Sequence, residues 1–319
     1  MIKNTSTSLD SGPELRRHEP TRSGATPLLR AWTEAVESGG RGDYARALTG
    51  LTALERRIRP PSAPSARPGP DVALLSLCQS TRASLMRQAG RHRIAHGIDG
   101  RSLLTVGLPD DRASTVRATH DAVEVSLSRA AIADGLIGLA ADNLGLLRFG
   151  AARRLLDRAR SVLDRAAGSS PGAARDGWSW RPAEADWATA TRCRLRWEWV
   201  SAELGLYRGD VATGLEHARS GALLIREMDD AGTPVPPRHR IKTELIAGAA
   251  TAGSGDLNGA ATVARDVAAD ARDHGLLPLE WAATSLLLGT GAASEDDAAR
   301  HRRLRATLIG KGMALLPEG

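Results

Sequence analysis

Tryptophan and arginine are concentrated in one stretch of the chain. Of the seven tryptophans, five fall in residues 178–199. On a helix, Trp199 lies about 200° around the axis from Trp197, on the face shared by Arg192 and Arg196. Because tryptophan and arginine dominate the energetics of binding surfaces, this face is predicted to bind an acidic or apolar partner. The alternative is that Trp199 packs against a neighbouring helix pair or under a tryptophan-containing loop.

A second basic cluster opens a predicted helix after two prolines. Arg238, His239, Arg240 and Lys242 follow Pro236–Pro237. Basic residues near the start of a helix interact unfavourably with the helix dipole, which suggests that these residues have a role other than stabilising the helix. Their side chains could prolong a basic groove suited to carboxylates, and Arg240 and Lys242 are taken as its candidates. The alternative is a solvated turn.

Motifs for catalysis and metal binding are incomplete. His92 and His96 have the i,i+4 spacing of zinc ligands, but Arg93 stands where the zinc-protease motif needs Glu, and no third ligand is evident. Gly310–Gly312 lacks the upstream Gly and the Ser/Thr of a phosphate-binding loop. We therefore predict that the protein is not an enzyme and uses neither a metal nor a cofactor.

The elements that must position these residues carry a recurring signal. A glycine turn is followed five positions later by a small residue that opens an amphipathic helix. Glycine permits the positive-φ turn that ends one helix, an Asp can cap the next, and the small residue allows close helix packing. The copies are Gly42 with Ala47, Gly90 with Ala95, Gly209 with Gly214 and Gly255 with Ala260, and a fifth at Phe149 and Ala152 lacks the glycine.

This pattern resembles the tetratricopeptide (TPR) family, in which small residues of paired helices pack together. The matching pairs are Ala35/Ala47, Ala83/Ala95, Ala140/Ala152, Ala202/Gly214 and Gly248/Ala260. Their first members are 46 to 62 residues apart, rather than the family's 34, which implies longer helices and inserted loops. The resemblance implies an all-α, TPR-like α-solenoid of five to six antiparallel helix pairs.

The resemblance also implies where a partner would bind. In the family, the first helix of each pair lines a concave groove, so Arg192, Arg196 and Trp199 would face it. The family's best-known peptide-binding members clamp a carboxylate with Lys, Asn and Arg. That set cannot be assembled here. Asn143, on a predicted first helix, is the one asparagine that could take the role of the family's carboxylate-binding Asn.

Composition and segment boundaries complete the expectations. We predict a disordered polar tail at 1–25 and a repeat domain at 26–316, interrupted by a Pro-rich linker at 59–70 and a tryptophan-containing loop at 167–182.

The formal net charge is +6, but only three of the 43 basic residues are lysines. That arginine excess is typical of high-GC codon usage, so specific nucleic-acid binding is not expected. Without an apolar leader or span, the protein is expected to be cytoplasmic and not membrane-bound.

Two functions are compatible with these features. The favoured hypothesis is a protein-interaction scaffold or adaptor that binds a partner peptide or segment, acidic or carrying an apolar anchor, in a helical groove. The alternative hypothesis is a regulatory module that senses a ligand or peptide in the same groove and acts on transcription through a partner.

Overall fold

The structure, a computed structural model, describes residues 27–58, 70–107, 122–166 and 191–315. Within these ranges every regular element is helical, which confirms the all-α prediction for this part of the chain. The helices are α1 (Pro27–Gly40), α2 (Tyr44–Arg57), α3 (Pro70–Gln88), α4 (His92–Val106), α5 (Ala122–Gly145), α6 (Phe149–Ala166), α7 (Arg192–Tyr207), α8 (Val211–Asp230), α9 (Pro237–Gly253), α10 (Leu257–Asp273), α11 (Leu277–Gly289) and α12 (Glu295–Gly310), followed by a short 3₁₀ helix at Met313–Leu315.

Some predicted segments lie outside the described residues. These are the tail at 1–25, the loop at 167–182, and the linker at 59–70 apart from Pro70, which begins α3. The tryptophans at 178, 180 and 187 fall there too. None of the helices in the described ranges is both long and apolar enough to cross a membrane.

The glycine turns join consecutive helices that pack against each other. Gly42, Gly90, Gly209 and Gly255 all have positive φ, between 74° and 92°. In the turn that lacks glycine, Leu147 adopts a φ of 58°, so a non-glycine residue makes the same reversal.

The predicted aspartate caps are present in two of these turns. Asp210 accepts a bond from the Thr213 amide at 3.2 Å, and Asp256 accepts one from Gly259 at 2.8 Å. Asp43 departs from the prediction, because it makes no side-chain cap bond. Its carboxylate instead binds Lys311, 2.5 Å away near the end of the described chain.

The small residues predicted at helix contacts are all buried. They allow the helices to approach closely, and added atoms would clash. A Cβ on Gly248 would lie 2.9 Å from Val263 Cγ1, and one on Gly214 would lie 2.8 Å from Leu206 Cδ2. These positions are therefore buried at helix contacts, while the contact within each predicted pair stays a prediction.

The first helices contact the last ones. The Ala45 amide donates to the Lys311 carbonyl at 3.1 Å. Leu308 and Met313 belong to the same buried apolar cluster as Trp32 and Ala35. The described chain therefore closes upon itself, so that α1 and α2 lie beside α11, α12 and the 3₁₀ helix. This closure brings the odd-numbered helices around a common interior.

Candidate functional site

A cavity of about 600 Å³ lies on the inner side of the helices. Residues of α1, α3, α5, α7, α9 and α11 form most of its wall, with single contributions from α2 and α4. Cavities of this size typically hold a small organic ligand. Its charged and aromatic lining residues are Trp32, Tyr44, Arg87, His92, Asp134, Arg192, Arg196, Trp199, Glu203, Tyr207, Arg238, His239, Lys242 and Trp281.

The inner face of α7 presents two arginines that share one carboxylate. Arg192 and Arg196 each donate a short hydrogen bond to a different oxygen of Asp134 on α5. Burial alone would raise the pKa of Asp134, but the two guanidinium groups hold it below its usual range. Asp134 is therefore ionised at neutral pH, and this group of three side chains carries one net positive charge.

A third arginine reaches the cavity from the first turn of α9. Arg238 lies over the last residue of α1, where a Cβ on Gly40 would sit 2.9 Å from Arg238 Cδ. Burial, together with the nearby Arg196, lowers the pKa of Arg238 to about 10, so the side chain remains charged at neutral pH. One turn later, Lys242 pairs with Glu203 of α7 at 3.4 Å.

Aromatic rings complete the wall between these charges. Trp199 donates to Thr243 Oγ1 at 3.0 Å and stacks on His239, with ring centroids 5.7 Å apart. The guanidinium of Arg192 lies 5.4 Å from the ring centroid of Trp32. Trp281 lines the cavity from α11. The surface is thus apolar and cationic together, which suits an acidic ligand with an apolar body.

A buried acid pair lies behind one edge of the cavity. Arg87 Nη2 is 2.5 Å from Asp99 Oδ2, and Arg87 Nε is 3.1 Å from Asp142 Oδ1. Burial raises the pKa of Asp99 to about 8, with Arg87 opposing the shift and Asp142 adding to it. Burial therefore favours the protonated form of Asp99, while Arg87 lies between the two carboxyl groups. A Cβ on Gly138 would lie only 2.2 Å from Asp99 Oδ2, so the Asp99 side chain fits here because residue 138 is a glycine.

The structure brings together four of the six predicted site residues. Arg192, Arg196, Trp199 and Lys242 all line the cavity. The other two lie elsewhere. Asn143 is buried and donates to the Leu139 carbonyl of its own helix at 2.8 Å. Arg240 points outward and forms a two-pronged ion pair with Asp229.

Arg238, Trp32 and Trp281 are among the lining residues that were not predicted as site residues. Arg238 precedes Lys242 by four residues, and this spacing would have placed both on one helix face. Trp32 and Trp281 are single tryptophans that stand apart from the dense stretch. No local pattern distinguishes them from core residues, because their position at the cavity depends on closure of the chain.

Arginine is the most frequent charged residue in the described cavity wall. No group of three or more His, Cys, Asp or Glu side chains in these ranges could hold a metal ion. Burial raises the pKa of both Cys78 and Cys193 to about 12, so each remains a neutral thiol rather than a nucleophilic thiolate. The arginines, by contrast, offer forked donors to a carboxylate or phosphate.

No protein-family model matches the chain. The search of curated proteins likewise finds no match.

Proposed function

We propose that the protein is a ligand-sensing regulatory module. In this proposal six TPR-like antiparallel helix pairs form a closed α-solenoid, and an acidic small molecule or the acidic end of a short peptide binds in its central cavity. Ligand binding would change how the protein binds a partner protein that acts on transcription. The observation that carries the proposal is the convergence of Arg192, Arg196 and Arg238 beside tryptophans, with Asp134 shared by Arg192 and Arg196.

Closure of the chain favours a small ligand over a long peptide. An open solenoid can bind an extended segment along its whole groove. Here the first and last helices contact each other, and the cavity of about 600 Å³ matches a ligand of drug size or a few peptide residues. A regulatory module therefore fits the geometry better than a scaffold that binds along an open groove.

An adaptor that holds a longer partner segment is the second candidate. It is favoured by Tyr207, a cavity-lining side chain that is 61% exposed. An exposed aromatic ring at the edge of a cavity could contact the part of a bound segment that emerges from it. Protein binding that depends on Tyr207 but not on the interior arginines would support this candidate.

The proposal is tested by a thermal-stability screen of acidic small molecules and short acidic peptides. Ala249 lines the cavity, so the variant Ala249→Trp should fill part of its volume. Ala53→Trp places the same ring on the exposed side of α2 as a control. A ligand at about 100 times its Kd stabilises the native state by about 2.7 kcal/mol, so the melting temperature should rise by several degrees.

The expected result is stabilisation of the wild type and of Ala53→Trp by at least one acidic compound, with little effect on Ala249→Trp. The proposal would be overturned if acidic compounds stabilised none of the proteins. It would also be overturned if Ala249→Trp, folded normally by circular dichroism, responded as strongly as the wild type.

A further inference from the structure

Leu147 breaks the pattern of the turns that join the two helices of a pair. The five other turns of this kind in the described ranges have glycine at the positive-φ position, where Leu147 has a φ of 58°. A side chain strains this backbone conformation, so leucine makes the turn less favourable than glycine would. Packing offers no compensation, because Leu147 is 67% exposed and belongs to none of the apolar clusters of the described residues.

Arg148 is a second departure at the same turn. The equivalent residues before α8 and α10 are the helix-capping aspartates Asp210 and Asp256. An arginine cannot accept such a bond, and its charge opposes the dipole at the start of α6, whose first turn has no acidic residue. Arg148 is exposed, and its guanidinium has neither a hydrogen bond nor an ion pair within the described ranges. Two adjacent residues are thus unfavourable for the fold, which indicates a role outside it.

The neighbouring turn, between α7 and α8, presents a similar surface. α5 and α7 pack against each other, and their last residues, Gly145 and Tyr207, line the same cavity. The turns after them therefore lie beside each other at one edge of the cavity. Tyr207 is largely exposed, and so is Arg208, whose guanidinium makes no hydrogen bond or ion pair to the described residues. Together, Leu147, Arg148, Tyr207 and Arg208 make up the turn surface.

The charges of the turn surface indicate the chemistry of its partner. Asp210, the acid of these two turns, is engaged in capping α8 through Thr213. The two arginines are therefore available to carboxylates of another molecule. The leucine and the tyrosine beside them offer that molecule exposed apolar area. An acidic protein segment that also carries an apolar side chain is complementary to both features.

We propose that the turn surface docks an acidic segment of a partner protein, with an apolar side chain of that segment against Leu147. The inference rests on the proposed function for the existence of a partner, and it names the surface at which that partner binds. Because the turn surface adjoins the cavity at Gly145 and Tyr207, a docked segment would lie close to a bound ligand. This proximity gives the ligand a direct route by which to alter partner binding.

Stability measurements separate a docking role from a structural one. The double variant Leu147→Gly/Arg148→Asp restores the glycine and aspartate of the α7–α8 and α9–α10 turns. It should raise the melting temperature by about 2 °C or more, since it relieves the backbone strain and adds a helix cap. A melting temperature at or below that of the wild type would show that the natural side chains serve the fold, and the proposal would be overturned.

Fluorescence anisotropy measures docking with labelled synthetic helical peptides. The probe has leucines on one face and glutamates on the other, and two control peptides replace its glutamates by lysine or its leucines by alanine. The probe should bind the wild type at least about tenfold more tightly than either control, and Leu147→Ala and the double variant should each weaken it at least about fivefold. Leu104→Ala removes a leucine that is 85% exposed near the end of α4 and should keep the wild-type affinity.

The possible results distinguish the turn surface from other modes of binding. No saturable binding of the leucine–glutamate probe, or equal affinities in Leu147→Ala and Leu104→Ala, would overturn it. Binding that is lost in Ala249→Trp but kept in Leu147→Ala would place the segment inside the cavity, which also overturns it. Self-association of the wild type in sedimentation that Leu147→Ala abolishes would identify a second copy of the chain as the occupant instead of an acidic partner.

The failure of this inference differs from failure of the proposed function. If the turn surface fails while acidic compounds stabilise the wild type in a manner sensitive to Ala249→Trp, ligand sensing stands without it. If the probe docks as expected while acidic compounds stabilise none of the proteins, the docking surface stands and ligand sensing is overturned.

Discussion

The side chains of Asp43 and Lys311, which are 268 positions apart in sequence, meet at 2.5 Å. Their contact joins the turn between α1 and α2 to the end of α12. Both side chains are partly exposed, so the ion pair by itself contributes about 1 kcal/mol or less. The apolar contacts beside it, between Gly42 and the last helices, must therefore contribute more of the free energy that holds the first and last helices together.

Gly42→Ala is predicted to weaken the closure. Gly42 has a φ of 84°, and an added Cβ would lie 2.5 Å from Leu308 Cδ2. The matched control is Gly90→Ala, because Gly90 has a φ of 77° with no heavy atom within 4 Å of the added Cβ. Left-handed backbone costs both variants about 1–2 kcal/mol, and overpacking should cost Gly42→Ala about 1–3 kcal/mol more. Urea unfolding measures both free energies, and equal losses would contradict the closure contact.

Asp134→Asn is predicted to destabilise the protein strongly. The change leaves Arg192 and Arg196 without their shared carboxylate inside the cavity. Breaking a buried ion pair from one side typically costs about 3–5 kcal/mol. Asp229→Asn is the control, because it removes the carboxylate from the exposed pair with Arg240 and should barely change stability. Thermal unfolding compares them, and similar melting temperatures for the two variants would argue against a strongly coupled interior group.

The sequence predicts the helical fold well because its determinants are local. Glycine turns, aspartate caps and small contact residues act within a few residues of their own position. Even the turn that lacks glycine, at Leu147, falls where the repeat signal places it. The face of α7 that carries Arg192 and Trp199 was likewise predictable from helical spacing alone.

The site was only partly predictable, for two physical reasons. Residue type alone points to Arg240, although it lies about 200° around α9 from Arg238 and Lys242 and so cannot share their face. Closure of the chain is the second reason. Trp32 and Trp281 approach the cavity because α1 and α11 meet at the interior, and periodicity within either helix carries no information about that contact.

Stability is predicted to fall with acid partly through His239. Burial, with the charges of Arg238, Arg192 and Arg196, lowers the pKa of His239 well below 6.5 in the native state. Below pH 6.5 the unfolded chain binds a proton that the native imidazole does not. Stability should therefore be lost as pH falls, by about 1.4 kcal/mol per pH unit for one such proton.

His239→Phe should make this acid dependence shallower while keeping an aromatic ring beside Trp199. His274→Phe changes an exposed histidine and should retain the wild-type slope. The measurement is the free energy of unfolding in urea at several pH values between 7 and 5. A wild-type slope in His239→Phe would show that the buried imidazole does not carry the effect.

The most direct test of cavity binding is a ¹H–¹⁵N NMR titration that follows the tryptophan indole N–H signals, assigned by Trp→Phe variants. Trp32, Trp199 and Trp281 line the cavity, whereas Trp197 is buried outside it, with its N–H bonded to the Leu156 carbonyl. On adding the acidic compound that best stabilises the wild type, the three cavity signals should shift saturably while the Trp197 signal stays fixed. Unchanged cavity signals at saturating ligand, or equal shifts at Trp197, would contradict binding in the cavity.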